Sequence, residues 1–240
     1  MAYGEFTVDK YTKALWLMNE DSGTTIVDVT GNHNGASDGA TLLVNGGRFG
    51  SAWQIDASGE ELEFSDHADW DLTTNGNYTW EFMVYPTAMG ELDALWGVGC
   101  SGDPYFTIFI GDNAAASIAD ALWAIWYTSA TAYLVQASAN SAVSLNAWNY
   151  LAVTHDGSQA QANRLKCYVN GVNRSVASIS TGTVGNLTSN VQLFIGSDEA
   201  NNNMVGRLDS VRYRVGYVAS AREIQEKNNE IKGAYGVMVV

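Results

Sequence analysis

Positive charge is scarce in this chain. Twelve Lys and Arg stand against 26 Asp and Glu, a net charge of −14. A phosphate backbone would be repelled, so nucleic acid is excluded as an expected partner. Proline occurs twice, at Pro86 and Pro104, and little else forbids long central strands. Cysteine also occurs twice, at Cys100 and Cys167; with no visible secretion signal, two thiols are expected rather than a disulfide. The three histidines, His33, His67 and His155, show no His-x-x-x-His spacing for zinc. His155 reads as a hydrogen-bonded turn residue, and His33 and His67 as separate loop residues. There is no Gly-x-Ser-x-Gly nucleophile elbow. No apolar run approaches the length of a membrane helix, so no membrane insertion is expected. The start, Met-Ala-Tyr-Gly-Glu-Phe, lacks a basic segment and an apolar core. The expectation is a protein made in the cytosol that reaches a virion surface or the extracellular space by lysis or a dedicated route. Sequons at Asn77, Asn173 and Asn186 matter only in a glycosylating compartment.

Aromatic residues and turn formers are plentiful instead. Eight Trp, twelve Tyr and 46% hydrophobic content argue for a packed globule. Trp148 to Thr154 is rich in aromatic and β-branched residues and ends at Asp156-Gly157. Leu165 to Val169, then Asn170-Gly171, then Val172 to Ile179 reads as a hairpin, because Asn-Gly accepts the positive φ of a tight turn. Further strands are predicted over 14–18, 24–29, 52–56, 61–64, 78–85, 92–98, 105–110, 122–127, 133–136, 191–196 and 206–214, with 52–56 and 61–64 paired. In 78–85, alternation sets Tyr78, Trp80, Phe82 and Val84 on one face and Thr79, Glu81, Met83 and Tyr85 on the other. Ser220-Ala-Arg-Glu223 is a capping box, and Ile224 and Ile231 share one helix face, which predicts a single short helix over 221–232. The pattern is all-β: a two-sheet antiparallel sandwich or jelly roll, expected as one domain over 1–240.

Several blocks resemble the laminin-G-like, concanavalin A-like jelly-roll family shared by legume lectins, pentraxins and many bacterial and phage modules. They are Ala14 to Gly23 with Val27 to Gly35, Gly46 to Ala52, Asn77 to Pro86, Trp148 to Gly157 with Leu165 to Gly171, and Gly206 to Tyr213 with Ala219 to Asn228. Residues 87–147 match least. The resemblance implies two antiparallel sheets packed face to face. It leaves function open, because one sandwich hosts lectins, hydrolases and structural modules.

Glycosidases of this fold carry a row of acidic residues on one strand. The nearest string here, Glu91-Leu-Asp-Ala-Leu-Trp96, has Leu95 or Trp96 where the acid/base would stand, and Glu60-Glu-Leu-Glu63 lacks the Asp. Catalysis is therefore not expected, and a glycoside hydrolase or lyase is the last alternative. The resemblance implies a structural calcium ion that ties the chain's ends together, held by Asn19 or Glu20, Gly50 or Ser51, and Asp209. Sugars stack on aromatic rings while polar groups meet their hydroxyls; Glu81, Tyr85, Trp96 and Trp126 are the candidates for a glycan surface. The leading expectation is a non-catalytic structural, decoration or adhesion protein of a phage virion surface. Its partners would be other surface proteins or copies of itself, reached through the apolar tail Tyr235 to Val240, and possibly glycans. A calcium-dependent, lectin-like glycan-binding module is the second expectation.

Overall fold

The computed structural model describes residues 4–99, 104–113, 117–176, 178–188, 192–198 and 202–233. Cys100, Val191 and the tail Tyr235 to Val240 lie outside these residues. The first strands are β1 (Thr12–Trp16), β2 (Thr25–Ile26), β3 (Gly35–Asp38), β4 (Thr41–Leu43), β5 (Ala52–Ile55) and β6 (Glu61–Phe64). The middle of the chain forms β7 (Asn77–Ala88), β8 (Asp93–Val98), β9 (Tyr105–Asn113), β10 (Ile118–Ser129), β11 (Ala132–Ala137) and β12 (Asn149–Asp156). The last part forms β13 (Leu165–Val169), β14 (Val172–Asn173), β15 (Ile179–Thr181), β16 (Leu193–Ile195), β17 (Val205–Val215) and the helix α1 (Ala221–Gly233).

These strands make two antiparallel sheets. One runs β14-β13-β12-β7-β17-β5-β4, with β1 also on β17; the other has nine strands, β15-β11-β10-β9-β8-β16-β6-β3-β2. The first strand and the closing strand are thus neighbours, Trp16 opposite Val211. The Asn170-Gly171 hairpin forms as its sequence dictates, with both residues at positive φ and Val169 opposite Val172. Three expectations are corrected. The segments 52–56 and 61–64 do not pair: β5 joins β17 in one sheet and β6 joins β3 and β16 in the other. The run 172–179 splits, since β14 stays in the hairpin while β15 pairs with β11 in the opposite sheet. Pro86 does not end β7; it sits opposite Gly206 at a register shift, where a ladder bond can be spared.

The core between the sheets is aromatic. Trp16, Trp53, Trp80, Trp96, Trp126, Phe82, Phe106 and Tyr213 are all fully buried in it. Trp80 stacks on Phe106 at 4.7 Å and on Tyr213 at 5.5 Å. Each such side chain removed from water contributes up to about 3 kcal/mol, plus the ring contacts. A second cluster lies on the far side of the β7 sheet, where Phe6, Met83, Tyr150, Tyr168, Ala219, Ile224 and Ile231 pack together. The capping box holds: the Ser220 backbone N–H donates to Glu223 Oε2 (2.8 Å), and the Glu223 N–H donates to Ser220 Oγ (3.2 Å). Helix α1 and the N-terminal segment therefore cover one outer sheet face.

Candidate functional site

The covering decides the fate of two predicted glycan residues. Alternation does turn Glu81 and Tyr85 away from the central core, but the face they reach is roofed. Glu81 is 1% exposed. Its Oε1 accepts the Tyr150 hydroxyl (2.6 Å), and its Oε2 accepts Arg212 Nε (2.8 Å) and meets Arg214 Nη2 (3.0 Å). Burial pushes the Glu81 carboxyl up, but Arg212 and Arg214 outweigh this and hold it below the ordinary value. Glu81 is the charged centre of the second cluster, buried among its counter-ions rather than open to solvent. Tyr85 is half-buried against Trp148 and the Arg207 guanidinium. It borders a cavity of about 390 Å³ with Met83, Trp148, Tyr150 and the end of α1.

Trp96 and Trp126 are corrected by parity. Both point between the sheets, at 1% and 0% exposure. Along β10 the core takes Leu122, Ala124 and Trp126, so the opposite face carries Trp123, Ile125 and Tyr127. On β8 an irregularity between Ala94 and Trp96 lets Leu95 and Trp96 both enter the core. These are the positions where a glycosidase acid/base would have been needed.

Helix α1 lies on the other sheet; on the outer face of the nine-stranded sheet the middle is buried in a third cluster, Ala94, Phe109, Ala121, Trp123 and Ala137, and half-buried tyrosines stand beside it. Tyr105, Tyr127 and Tyr133 stand in one cross-strand row there, because Tyr127 is opposite both others. Their rings are nearly parallel, 4.8 Å apart between Tyr105 and Tyr127 and 6.1 Å between Tyr127 and Tyr133, and each is half-buried. Beside the row lies a cavity of about 190 Å³ lined by Leu92, Tyr105, Thr107, Phe109, Ile125, Asp198 and Asn202. Thr107 is 6% exposed, and its hydroxyl has no hydrogen-bond partner among the described residues. Gly97 is opposite Thr107 and brings no side chain; a Cβ there would lie 2.7 Å from that of Asp198. Glycine thus lets Asp198 approach the cavity. Asn202 Nδ2 donates to both Asp198 oxygens, at 3.1 and 2.9 Å, and fixes the carboxylate.

This sheet is also electrically one-sided. None of the twelve Lys and Arg lies on any of its nine strands, which carry Asp38, Glu61, Glu63, Asp93, Asp112 and Asp120. Burial raises the Glu61 carboxyl, and Glu63, Asp38 and Asp198 push it further, against a hydrogen bond from Ser197. Asp93 is raised by burial and by Asp112, against the Gly90 backbone N–H. An anionic ligand would meet repulsion here; a neutral one with many hydroxyls would meet acceptors.

The residues implied for calcium are brought together in part. Asp209 is fully buried on β17; its Oδ2 accepts the Phe49 N–H (2.8 Å) and its Oδ1 the Ser210 hydroxyl (2.6 Å). Asn19 Oδ1 accepts the Ser51 N–H (3.1 Å), and Asn19 Nδ2 donates to Glu5 Oε1 (2.6 Å). Burial, with Glu5 nearby, pushes Asp209 up to about 6. A Cβ at Gly47 would collide with Asp209, and one at Gly50 with Asn19, so both glycines make room for oxygen ligands. Two buried carboxylates, an amide oxygen and turn carbonyls are the hard donor set that Ca²⁺ takes, and the residues fit it. Glu20 falls outside, for its carboxylate holds the Val27 N–H and the Trp53 indole N–H. Glu5 replaces it, and no motif marks Glu5 in the sequence.

A second group is assembled from residues that look unrelated in the sequence. His33, His67 and Asp69 offer ligand atoms within 4.8 Å of one another. His155 is hydrogen-bonded as expected, its Nδ1 2.9 Å from the Gly76 carbonyl, but it lies within β12 between Tyr78 and Leu165 rather than in the turn, and burial lowers it to about 4.

Comparison with known proteins follows the same lines. Domain 4 of AbnA, a GH43 extracellular arabinanase from Geobacillus stearothermophilus in complex with arabinotriose, is similar with a TM-score of 0.65 and 16% identity, over 91% of this chain and 98% of that one. The binding domain of Paraclostridial Mosquitocidal Protein 1 is similar with a TM-score of 0.64 and 16% identity, over 91% of this chain and 52% of that one. The Ruminococcus gnavus IT-sialidase CBM40, bound to α2,3 sialyllactose, gives 0.55 and 12%, over 73% of this chain and 95% of that one. At these identities the likeness shows the fold. No curated relative matches the sequence. The family model described as the concanavalin A-like lectin/glucanases superfamily matches residues 56–225, more than half of the chain, and the chain belongs to that superfamily.

Proposed function

We propose that this chain is a non-catalytic carbohydrate-binding adhesion module that takes neutral glycans on the outer face of its nine-stranded sheet. The observation that carries the reading is the in-register row Tyr105, Tyr127 and Tyr133 beside a cavity with Asp198, Asn202 and a buried Thr107 hydroxyl that has no partner among the described residues. Aromatic surface joined to a few oriented polar groups is what sugar sites require. The arabinotriose and sialyllactose complexes of two similar domains support the class of ligand. The carboxylates on this sheet, with no cation on its strands, favour a neutral sugar over a sialylated one. Leu95 and Trp96 in the core support the non-catalytic reading. The setting we propose is the surface of a virion or cell.

Calcium at the Glu5, Asn19, Gly50 and Asp209 cluster belongs to this proposal as a structural ion. It would supply charge neutralisation for two buried carboxylates; the chain's own residues already join the N-terminal segment to the closing strand there. The test is a neutral and sialylated glycan array, followed by calorimetry on each hit. Tyr127→Ala should weaken binding at least about tenfold with the fold intact, since the ring lies outside the core. Wild-type affinity in that variant would overturn the site. Release of reducing ends from a bound neutral glycan would overturn the non-catalytic reading.

A further inference from the structure

We infer that His33, His67 and Asp69 form a binding site for a zinc-class divalent ion, distinct from the glycan face and from the Asp209 cluster. His33 Nε2 lies 3.0 Å from Asp69 Oδ2, and His67 Nδ1 lies 3.4 Å from the same oxygen. Ligands about 2.0–2.1 Å from a tetrahedral ion are separated by about 3.4 Å from one another. Two edges of such a site are therefore already close to length. Two imidazoles and one carboxylate are a donor set for Zn²⁺ and its neighbours, and a poor one for Ca²⁺ or Mg²⁺, which take oxygen.

The site is built from two loops that are held independently. Asp28 organises the first: its Oδ2 accepts the backbone N–H of Asn32 (3.2 Å) and His33 (3.0 Å), and its Oδ1 that of Leu15 (2.9 Å). The His33 carbonyl accepts the Trp16 indole N–H (2.7 Å), which ties the loop to the core. The second is a 3-10 turn, Ala68–Trp70, capped by His67. Its Trp70 is buried and packs 4.7 Å from the His33 ring. His33 is nearly buried, while the His67 side chain is 52% exposed and can adjust. Two things must move for an ion to enter. The His67 Nδ1 gives up the Asp69 backbone N–H it now accepts at 3.0 Å. Lys13, whose Nζ lies 3.2 Å from Asp69 Oδ1, swings into solvent, where 45% of its side chain already is. Lys13 occupies in part the charge that the metal would supply, so the two compete. Three protein ligands leave a further position to water or to a group from outside. The ion would staple the 28–34 turn to the 67–70 turn at one end of the sandwich.

Equilibrium dialysis of the whole chain against Zn²⁺ in excess Ca²⁺, with Co²⁺ absorption as the spectroscopic probe, tests this. One Zn²⁺ per chain is expected, with a tetrahedral cobalt spectrum and a higher Tm in zinc. His67→Ala and Asp69→Asn should each weaken binding roughly tenfold or more; Asp69 is half-buried, and the exposed His67 gives the variant that spares the fold. Lys13→Met should tighten it, whereas an arrangement that is only a salt bridge would lose stability and gain no metal. Absence of saturable zinc uptake would overturn the site, and so would unchanged uptake in His67→Ala or weaker uptake in Lys13→Met.

Discussion

Replacing Glu81 by Gln separates structure from ligand binding most sharply. The substitution keeps size and one acceptor but removes the buried carboxylate that bridges Arg212 and Arg214, whose side chains are 7% and 6% exposed. Removing one partner of a buried ion pair costs about 3–5 kcal/mol, because the other charge stays buried. Two contacts soften the loss here: Arg212 Nη1 keeps the Thr7 carbonyl at 3.0 Å, and Arg214 Nη1 keeps Asp9 at 3.4 Å. A loss of about 3 kcal/mol is therefore expected at neutral pH. In a domain of this size that lowers Tm by roughly 6–12 °C. The Glu81 carboxyl is held below its ordinary 4.5 when folded. Its stabilisation is thus present above 4.5 and is lost as pH falls through the folded value, so wild type and variant should converge in acid. Urea titration at pH 7 and at pH 4 measures both effects, and glycan affinity below Tm should match wild type. A second variant removes the ambiguity of a damaged fold. Changing Glu81, Arg212 and Arg214 together to Leu, Met and Met should restore much of the stability, since an apolar set of similar size avoids desolvation. Unchanged stability in Glu81→Gln would refute the argument, as would a specific loss of glycan binding in a variant of normal stability.

Other outcomes follow from the same structure. His155 is neutral in the fold with its value lowered from 6.5 to about 4, so the unfolded chain takes up a proton first; stability should be full above pH 6.5 and fall by about 3 kcal/mol towards pH 4, a loss absent in His155→Gln. Adding Ca²⁺ should raise the Tm of wild type and leave Asp209→Asn unchanged, and a calcium-independent Tm would remove the structural-ion proposal. Ser220→Ala should cost about 1 kcal/mol by thermal melting, because it removes one half of the α1 capping box. An unchanged Tm there would mean that α1 gains little from its cap.

Local chemistry was legible from the residues alone. The Asn170-Gly171 turn, the Ser220–Glu223 cap, the Ile224 and Ile231 stripe and the inward set of β7 all follow from rules that act over a few positions. The order of the weaker blocks, from Ala14 through Tyr213, carried the sandwich and brought first and last strands together. What failed was long-range or hung on one residue of parity. Alternation shows that Glu81 and Trp126 point to opposite sides of their strands from their neighbours; it does not say which side is covered. The amphipathic helix made that decision by lying on the β7 sheet, which turned Glu81 into a buried counter-ion and left the tyrosine row half-buried on the other sheet. His33 and His67 likewise meet only because the two loops that carry them are placed side by side by strands in the folded chain. A sequence records which faces each strand has; the packing of distant segments decides which of them meets water.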